Sequence, residues 1–312
     1  MTPQQPTPLP ALPNTGNLWR TGQLHGNGLN SRAIKALVLH GKLVRLRHGC
    51  YIRAELWEKQ SRPVRSMQLI HAHALGTLIT SAGGYVYSHT SAARLHGLYL
   101  WDVDDLVHLL MRGNPSSERL GKDVRGHTRP WTALEVVTLG GLKVTSLERT
   151  AVDCAMMLGY RQSLVLVDHA LRLGADRALM ESMAGGLQGR RGIRTLRLAL
   201  AHADPRSESA GETLTRELLI RLKLPLPEPQ VTVATRAGRY RLDFAWKEKK
   251  VALEFDGKTK YFDYKPTGEV LFQERQRENA LTEAGWTFVR VKWADLFREH
   301  EFKARVLAAL RP

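Results

Sequence analysis

Three carboxylates lie close together in the C-terminal third of the chain, in the sequence YRLDFAWKEKKVALEFDG. The alternation of apolar and polar residues predicts a β-hairpin with its turn in KEKK. If the turn is symmetric, Trp246 pairs with Val251, and Asp243 then lies opposite Glu254 with Cβ atoms roughly 4.5–5.5 Å apart. A period of two residues puts Asp256 on the same face as Glu254. Like charges at this separation are unfavourable unless they are neutralised, and divalent cations prefer carboxylate oxygens. The spacing therefore predicts a metal site at these three carboxylates.

The same hairpin register allows a second interpretation. Arg241 faces Asp256 in this register, and the two side chains could form an ordinary cross-strand salt bridge. Asp243 and Glu254 could then be an edge pair whose repulsion is weakened by solvent. One arginine cannot balance three carboxylates, which favours the metal site over the salt bridge.

A capping signal precedes the hairpin. Ser209 and Glu212 have the spacing of a capping box, and Leu214 and Leu218 continue an apolar helical pattern, so a helix is predicted from Ser209. After the hairpin, EVLFQERQRENALTEAG predicts another helix and GWTFVRVKW predicts a strand. Glu274 and Arg277 on that second helix either face the carboxylates or form a helix-surface ion pair.

These elements together resemble the PD-(D/E)xK nuclease superfamily, and more narrowly its branch related to the very-short-patch repair endonucleases. The resemblance covers roughly residues 207–310 and rests on Glu212, Asp243 and the sequence EFDG that begins at Glu254. It implies a restriction-endonuclease-like mixed sheet flanked by helices. It also implies that Asp243 and Glu254 bind Mg²⁺ (or Mn²⁺) and that Glu212 assists the metal or the attacking water.

The chain departs from that family at the motif lysine. Asp256 stands in its place, and a third carboxylate favours a two-metal arrangement. Lys258, two residues further on, either takes over water activation or phosphate contact or is an ordinary surface lysine. The candidate catalytic residues are Glu212, Asp243, Glu254, Asp256 and Lys258; the candidate metal ligands are Asp243, Glu254 and Asp256.

The charge of the chain points to a polyanionic partner. The 312 residues carry a formal net charge of +16, and the first acidic residue is Glu55. Lysine and arginine side chains bind nucleic acids by displacing the counterions of the phosphates. We therefore expect a nucleic acid to bind near the N-terminus, and charge alone does not distinguish DNA from RNA.

The basic N-terminal region predicts a helix followed by a hairpin. Asn30 or Ser31 can cap a helix that ends at Gly41, and Leu43-Val44 and Tyr51-Ile52 predict two short strands with a basic tip between them. This is the order of a winged helix-turn-helix, in which a helix enters the major groove and the hairpin contacts the backbone. A basic helix–hairpin without a ligand is the alternative. The candidate DNA-binding residues are Asn30, Ser31, Arg32, Lys35, Arg45, Arg47 and His48.

This region, GLNSRAIKALVLHGKLVRLRHGCYI, is similar to the N-terminal winged helix of AbiEi-type antitoxins from type IV toxin–antitoxin systems. The segments SHTSAARLHGL and LKVTSLERTAVDCA resemble their middle domain. The similarity implies an operator-binding regulator. The middle region offers no chemistry of its own, because its histidines show no zinc spacing with cysteine or carboxylate. We interpret most of these histidines as ordinary core or surface residues: His71, His73, His89, His96, His108 and His127.

The sequence thus predicts an α+β protein with an N-terminal winged helix-turn-helix, an α/β middle domain and the C-terminal nuclease-like sheet. The expected boundaries are a disordered lead-in at 1–18, the winged helix at 19–62, the AbiEi-like domain at 63–204 and the nuclease-like domain at 205–312. The expected function is a Mg²⁺-dependent DNA endonuclease. The alternatives are an antitoxin or transcriptional regulator with an inactive nuclease fold, and an RNA-directed nuclease. We expect a cytoplasmic protein without a membrane segment, with DNA as its partner, and with a second copy or a cognate toxin as the protein partners to test.

Overall fold

The computed structural model describes residues 9–77, 84–113, 120–257 and 268–311. The chain divides into two compact units, Met1–Gly97 with Asp102–Thr150 and Leu98–Trp101 with Ala151–Pro312. Each unit contains helices and sheet, which confirms the predicted α+β class. None of the helices in the described ranges combines the length and the apolar character needed to cross a lipid bilayer.

The first unit begins with a three-stranded antiparallel sheet in the order β1-β3-β2. Its elements, in chain order, are β1 (Leu18–Arg20), α1 (Thr21–Gly26), α2 (Ser31–Leu39), β2 (Leu43–Arg47) and β3 (Cys50–Arg53). The predicted helix and hairpin are confirmed, with longer strands than expected. Asn30 caps α2 by accepting a hydrogen bond from the Ala33 N–H at 2.9 Å. Gly41, with φ +66°, ends the helix because the left-handed conformation suits glycine.

A five-stranded mixed sheet in the order β6-β5-β4-β8-β7 completes the first unit. Its elements are α3 (Ala54–Lys59), α4 (Arg62–Thr77), β4 (Tyr85–Tyr87), α5 (His89–Leu95), β5 (Val107–Met111), β6 (Val124–His127), β7 (Val136–Leu139) and β8 (Leu142–Thr145). Ile70 of α4 packs with Tyr87, Leu109 and Val144 from three of the strands. β5 pairs antiparallel with β4 and parallel with β6. The start of α5, which directly follows β4, therefore lies near β5 and the end of β6.

Helices then follow one another along the chain: α6 (Leu147–Met157), α7 (Tyr160–Arg172), α8 (Arg177–Gly185), α9 (Ile193–His202) and α10 (Ala210–Arg221). The Gly-rich, basic segment between α8 and α9 consists of turns without helix or strand. Helix α10 begins at the predicted position, because the Ser209 hydroxyl accepts a hydrogen bond from the Glu212 N–H at 3.1 Å.

The second unit also contains a four-stranded mixed sheet in the order β12-β11-β10-β9. Its elements are β9 (Glu228–Thr235), β10 (Gly238–Trp246), β11 (Val251–Phe255), α11 (Gly268–Glu283), β12 (Thr287–Val291) and α12 (Glu299–Leu310). β11 runs parallel to β12, and the other pairs are antiparallel. Leu253 packs with Leu214 of α10 on one face of the sheet, and Ala252 packs with Leu281 of α11 on the other. Helices therefore cover both faces, and the carboxylates lie in a sheet that is buried at its centre.

Candidate functional site

The hairpin β10–β11 has the register that the sequence predicts. Trp246 pairs with Val251, and Phe244 pairs with Leu253. The next positions in this register are Asp243 and Glu254, and the Phe255 N–H donates to Asp243 Oδ2 at 3.0 Å. The two carboxylates therefore belong to neighbouring positions on adjacent strands.

Glu212 on α10 adds a third carboxylate to this region. It is buried, and its oxygens accept hydrogen bonds from the Ser209 hydroxyl at 2.8 Å, the Glu208 N–H at 2.8 Å and the Gln230 amide at 2.9 Å. Burial raises the pKa of Glu212, and the negative charge of Asp243 raises this pKa further. The two carboxylates are thus close enough to interact electrostatically. The pKa shift favours proton uptake by Glu212.

A glycine allows helix α10 to approach the end of strand β11. A Cβ atom on Gly211 would lie 2.0 Å from Cε1 of Phe255, so no larger residue fits there without movement. Gly211 precedes Glu212 and Phe255 follows Glu254. This contact therefore sets the spacing between the helix and the strand that carry two of the predicted site residues.

Arg277 of helix α11 binds the Glu254 carboxylate. Its guanidinium donates to both oxygens, closely to Oε1 and at 3.4 Å to Oε2, and it also donates to the Arg241 carbonyl at 3.0 Å. The Glu254 side chain is only 14% exposed, so the ion pair is largely shielded from water. Of the two alternatives for Arg277, the one in which it faces the carboxylates is right. Glu274 is exposed.

The alternative interpretation, a salt bridge between Arg241 and Asp256, is wrong. Arg241 pairs with Glu208 instead, at 2.5 Å. Glu208 lies in the segment before α10, which register arithmetic within the hairpin does not take into account. Asp256 directly follows β11, and its N–H donates to the Val291 carbonyl at 2.7 Å. Lys258 lies outside the described residues.

The described carboxylates of the second unit are not gathered into a cluster of three metal ligands. Among the described residues, three side chains that could bind a metal bring one ligand atom each within 4.8 Å of the others. They are His89, His108 and His127. No such group forms from the described carboxylates of the second unit. The Mg²⁺ ligands Asp243, Glu254 and Asp256 therefore stay a prediction.

Three of the histidines that the sequence offers as ordinary core or surface residues meet in space, which their spacing along the chain does not predict. His108 Nδ1 lies 3.0 Å from His127 Nε2, and the rings of His89 and His127 stack with centroids 3.6 Å apart. Burial lowers the pKa of all three histidines, and their mutual repulsion lowers it further for His89 and His127, to about 4 for His127. The three rings are therefore neutral at pH 7.

Sequence reasoning missed this cluster because its members lie on separate elements without motif spacing. A signal in the sequence was His108, a polar residue inside the otherwise apolar strand VHLLM. For His73 and His96 the original interpretation holds. His73 Nδ1 lies 2.8 Å from the Tyr87 hydroxyl, and His96 Nε2 lies 2.8 Å from the Thr145 carbonyl.

The candidate DNA-binding residues form an exposed set, with one exception. The exposed residues are Asn30, Ser31, Arg32, Lys35, Arg45 and His48. A shallow groove of about 170 Å³ lies between α2 and the hairpin and includes Lys35 and Arg45. Arg47 differs, because it forms an ion pair with Asp123 and its side chain is only 17% exposed. The cation at the hairpin tip is therefore already neutralised from within the first unit.

Comparison with known proteins identifies the family. The chain is 30% identical over 266 residues to two proteins of Mycobacterium tuberculosis, described as uncharacterized protein MT2308 and uncharacterized protein Rv2248. Each match covers 84% of this chain and 90% of the relative. The chain therefore belongs to the family of these two proteins. No family model matches the sequence. The crystal structure of RV2827C protein from Mycobacterium tuberculosis covers 69% of this chain and 79% of its own, at 15% identity and a TM-score of 0.40.

Proposed function

We propose that the protein binds DNA through α2 and the hairpin β2–β3 and hydrolyses phosphodiester bonds at the carboxylates of β10 and β11. The observation that carries the proposal is the placement of Asp243: it follows next to Glu254 in the register of two adjacent strands, and its charge raises the pKa of Glu212 on helix α10. This is the order of acidic residues that the resemblance to the PD-(D/E)xK nucleases implies.

The donor chemistry of this region fits a hard divalent cation. Asp243 and Glu254 offer carboxylate oxygens from adjacent strands, which are the ligands that Mg²⁺ and Mn²⁺ prefer. Asp256 follows directly on β11 as a further acidic ligand. When bound, the metal supplies a Lewis acid that activates water and stabilises the charge on the phosphate.

The protein residues have separate roles in this proposal. Glu212 accepts the proton of the attacking water, because its raised pKa makes it a better base than an ordinary carboxylate. Glu254 would hold the metal in place of its contact with Arg277. The guanidinium of Arg277 would then be available for a phosphate oxygen, which it can contact with two parallel hydrogen bonds. Arg277 would in this way replace the positive charge of the missing motif lysine.

The first unit supports the DNA-binding part of the proposal by its element order. Strand β1, helices α1 and α2 and the hairpin β2–β3 follow one another as in a winged helix-turn-helix. Arg32 and Lys35 lie exposed on α2, and Arg45 lies exposed on β2. These cations are suited to phosphate contacts.

A nuclease assay tests the proposal. The purified full-length chain is incubated with supercoiled plasmid, single-stranded DNA or RNA, in Mg²⁺, Mn²⁺ or EDTA. We expect metal-dependent cleavage of DNA that Asp243→Asn and Glu254→Gln reduce to the EDTA level. Glu248→Gln removes an exposed carboxylate from the turn of the same hairpin and serves as the matched control. Cleavage that persists in both site variants contradicts the proposal, and preferential cleavage of RNA selects the RNA-directed alternative.

A second candidate is a regulator or antitoxin whose nuclease-like unit does not cleave. The ion pair between Glu254 and Arg277 favours it, because a positive side chain already occupies the position that a metal would take. A binding titration on the DNA upstream of its own gene distinguishes the two candidates. Metal-independent, sequence-specific binding without cleavage supports the regulator. In either case Lys35→Ala should weaken binding and reduce the salt dependence by about one counterion.

A further inference from the structure

The three histidines of the first unit come from three neighbouring elements of its five-stranded sheet. His89 opens α5 directly after β4, His108 lies within β5, and His127 ends β6. The strand order β6-β5-β4 makes these elements adjacent. One nitrogen from each ring lies within 4.8 Å of the others. His89 and His108 are buried, whereas His127 is partly exposed and gives solvent access to the cluster.

The hydrogen bonds of His108 orient its lone pair toward His127. His108 Nε2 lies 3.2 Å from Asp104 Oδ1, and a carboxylate accepts the proton of this nitrogen. The lone pair is then on Nδ1, which lies 3.0 Å from His127 Nε2. Two nitrogens that share a metal ion at about 2.0–2.1 Å are separated by about 2.9–3.4 Å for bond angles between square and tetrahedral. This is the distance of a hydrogen bond from the His127 N–H to His108 Nδ1, and it also matches two ligands of one ion when His127 carries its proton on Nδ1 instead.

Asp104 lies where a carboxylate in the outer shell of a metal site would lie, because it contacts the other ring nitrogen of His108. Histidines that bind metals usually donate their other ring N–H to a carboxylate, which fixes the ring and makes the ligand nitrogen more basic. Asp104 is itself held by the Leu106 N–H at 3.3 Å. Its side chain is 39% exposed and also faces the Arg125 guanidinium at 3.6 Å, so charged and polar partners hold Asp104 beside His108.

His89 is held in an uncommon backbone conformation. Its φ of +48° is in the left-handed region, which few residues other than glycine adopt and which often marks functional sites. His89 Nδ1 lies 3.0 Å from the Ser88 hydroxyl. In the tautomer with the proton on Nδ1, the lone pair of His89 is on Nε2 and is free for a ligand.

We propose that His89, His108 and His127 bind one transition-metal ion of the Zn²⁺ class, with Asp104 as the carboxylate that orients His108. Imidazole nitrogen suits Zn²⁺, Co²⁺ and Ni²⁺ and not Mg²⁺, so this site differs chemically from the one proposed at the carboxylates. Three protein ligands leave a coordination position for water or an exogenous ligand. The rings of His89 and His127 are now only 14° from parallel, and one of them must tilt for both lone pairs to reach one ion.

Titration of the metal-free, full-length protein with Co²⁺ tests the proposal. We expect a single Co²⁺ ion to bind with the visible absorption of a tetrahedral nitrogen site, and Zn²⁺ to displace it while excess Mg²⁺ does not. His127→Gln should abolish the spectrum. Asp104→Asn keeps all three imidazoles and should lower the affinity about 10–100-fold. His71→Gln is the matched control, because it removes an exposed histidine from α4 of the same unit.

Circular dichroism of each variant shows whether it is folded. If His127→Gln is not folded, the test depends on Asp104→Asn, which changes a partly exposed carboxylate. Absence of a tetrahedral Co²⁺ spectrum in the wild type, or an unchanged affinity in Asp104→Asn and in folded His127→Gln, overturns the proposal. The measurement uses no nucleic acid, so its outcome does not depend on the nuclease or regulator proposal.

Discussion

Arg277 of α11 and Glu254 of β11 form a bidentate ion pair at the point where the hairpin brings Asp243 and Glu254 to adjacent strands. The arginine compensates the charge of one carboxylate in a region that contains three. It therefore contributes to the stability of the second unit, and in the proposed nuclease it competes with the metal for Glu254.

Substitution of Arg277 by glutamine should destabilise the protein. It leaves the Glu254 carboxylate without its cation in a mostly buried position, which costs about 1–3 kcal/mol of unfolding free energy. If the site binds metal, Mg²⁺ or Mn²⁺ should recover part of the loss in Arg277→Gln but not in Arg277→Gln/Glu254→Gln. Urea unfolding with and without the metal measures both effects. Arg275→Gln, at an exposed position of the same helix, is the control, and an equal loss there contradicts the assignment.

Gly211→Ala should be the most damaging small substitution at the contact between α10 and β11. The added methyl group would meet the Phe255 ring at 2.0 Å, and overpacking of this kind costs about 1–3 kcal/mol. Gly185→Ala provides the comparison, because a Cβ atom at the end of α8 meets nothing within 4 Å. We expect Gly185→Ala to be neutral or stabilising in chemical denaturation. Phe255→Leu should restore part of the stability of Gly211→Ala, and failure to do so would point to strain elsewhere.

Ser209→Ala tests the start of helix α10. The substitution removes the acceptor for the Glu212 N–H and the hydroxyl that donates to Glu212 Oε1. Loss of such a cap lowers the free energy of unfolding by about 1 kcal/mol. Ser182→Ala changes an exposed serine within α8 and should have little effect. Equal denaturation midpoints for Ser209→Ala and the wild type would show that the cap contributes nothing.

Cys50 should make the stability of the first unit fall at alkaline pH. Burial raises the pKa of its thiol from 9.0 to about 11, although nearby Arg47 acts in the opposite direction. Between these two values the unfolded chain loses the thiol proton and the folded chain keeps it, so unfolding becomes more favourable as the pH rises. Cys50→Ala should remove this part of the pH dependence in parallel denaturation curves. An identical slope for wild type and variant would contradict the buried thiol.

A thiol reagent gives an independent measurement on the same residue. Both cysteines are buried and neither belongs to a disulfide, so labelling at neutral pH should be slow in the native protein and complete in denaturant. Rapid native labelling of Cys50, identified by mass spectrometry, would mean that this part of the first unit opens readily.

The features that the sequence predicted correctly depend on neighbours along the chain. Alternation and the KEKK turn were sufficient for the register of Trp246 with Val251, because a hairpin pairs residues on either side of a short turn. The cap at Ser209 followed in the same way, and of the two candidates Asn30 and Ser31 the structure selects Asn30; each side chain bonds an N–H three residues away. The α+β class followed from the periods of these local patterns.

Tertiary structure decided which charged and metal-binding groups meet. Arg277 reaches Glu254 across a helix–strand contact, Arg241 selects Glu208 and not Asp256, and Arg47 is bound by Asp123. The histidine cluster likewise depends on the order of three strands and not on any spacing. Ionic and coordinate bonds require atoms a few ångströms apart, and such distances between remote segments arise only when hydrophobic packing brings the helices and sheets together. Local patterns were therefore sufficient for the capped helices and the hairpin register, whereas the partner of Glu254 and the grouping of the histidines exist only in the folded chain.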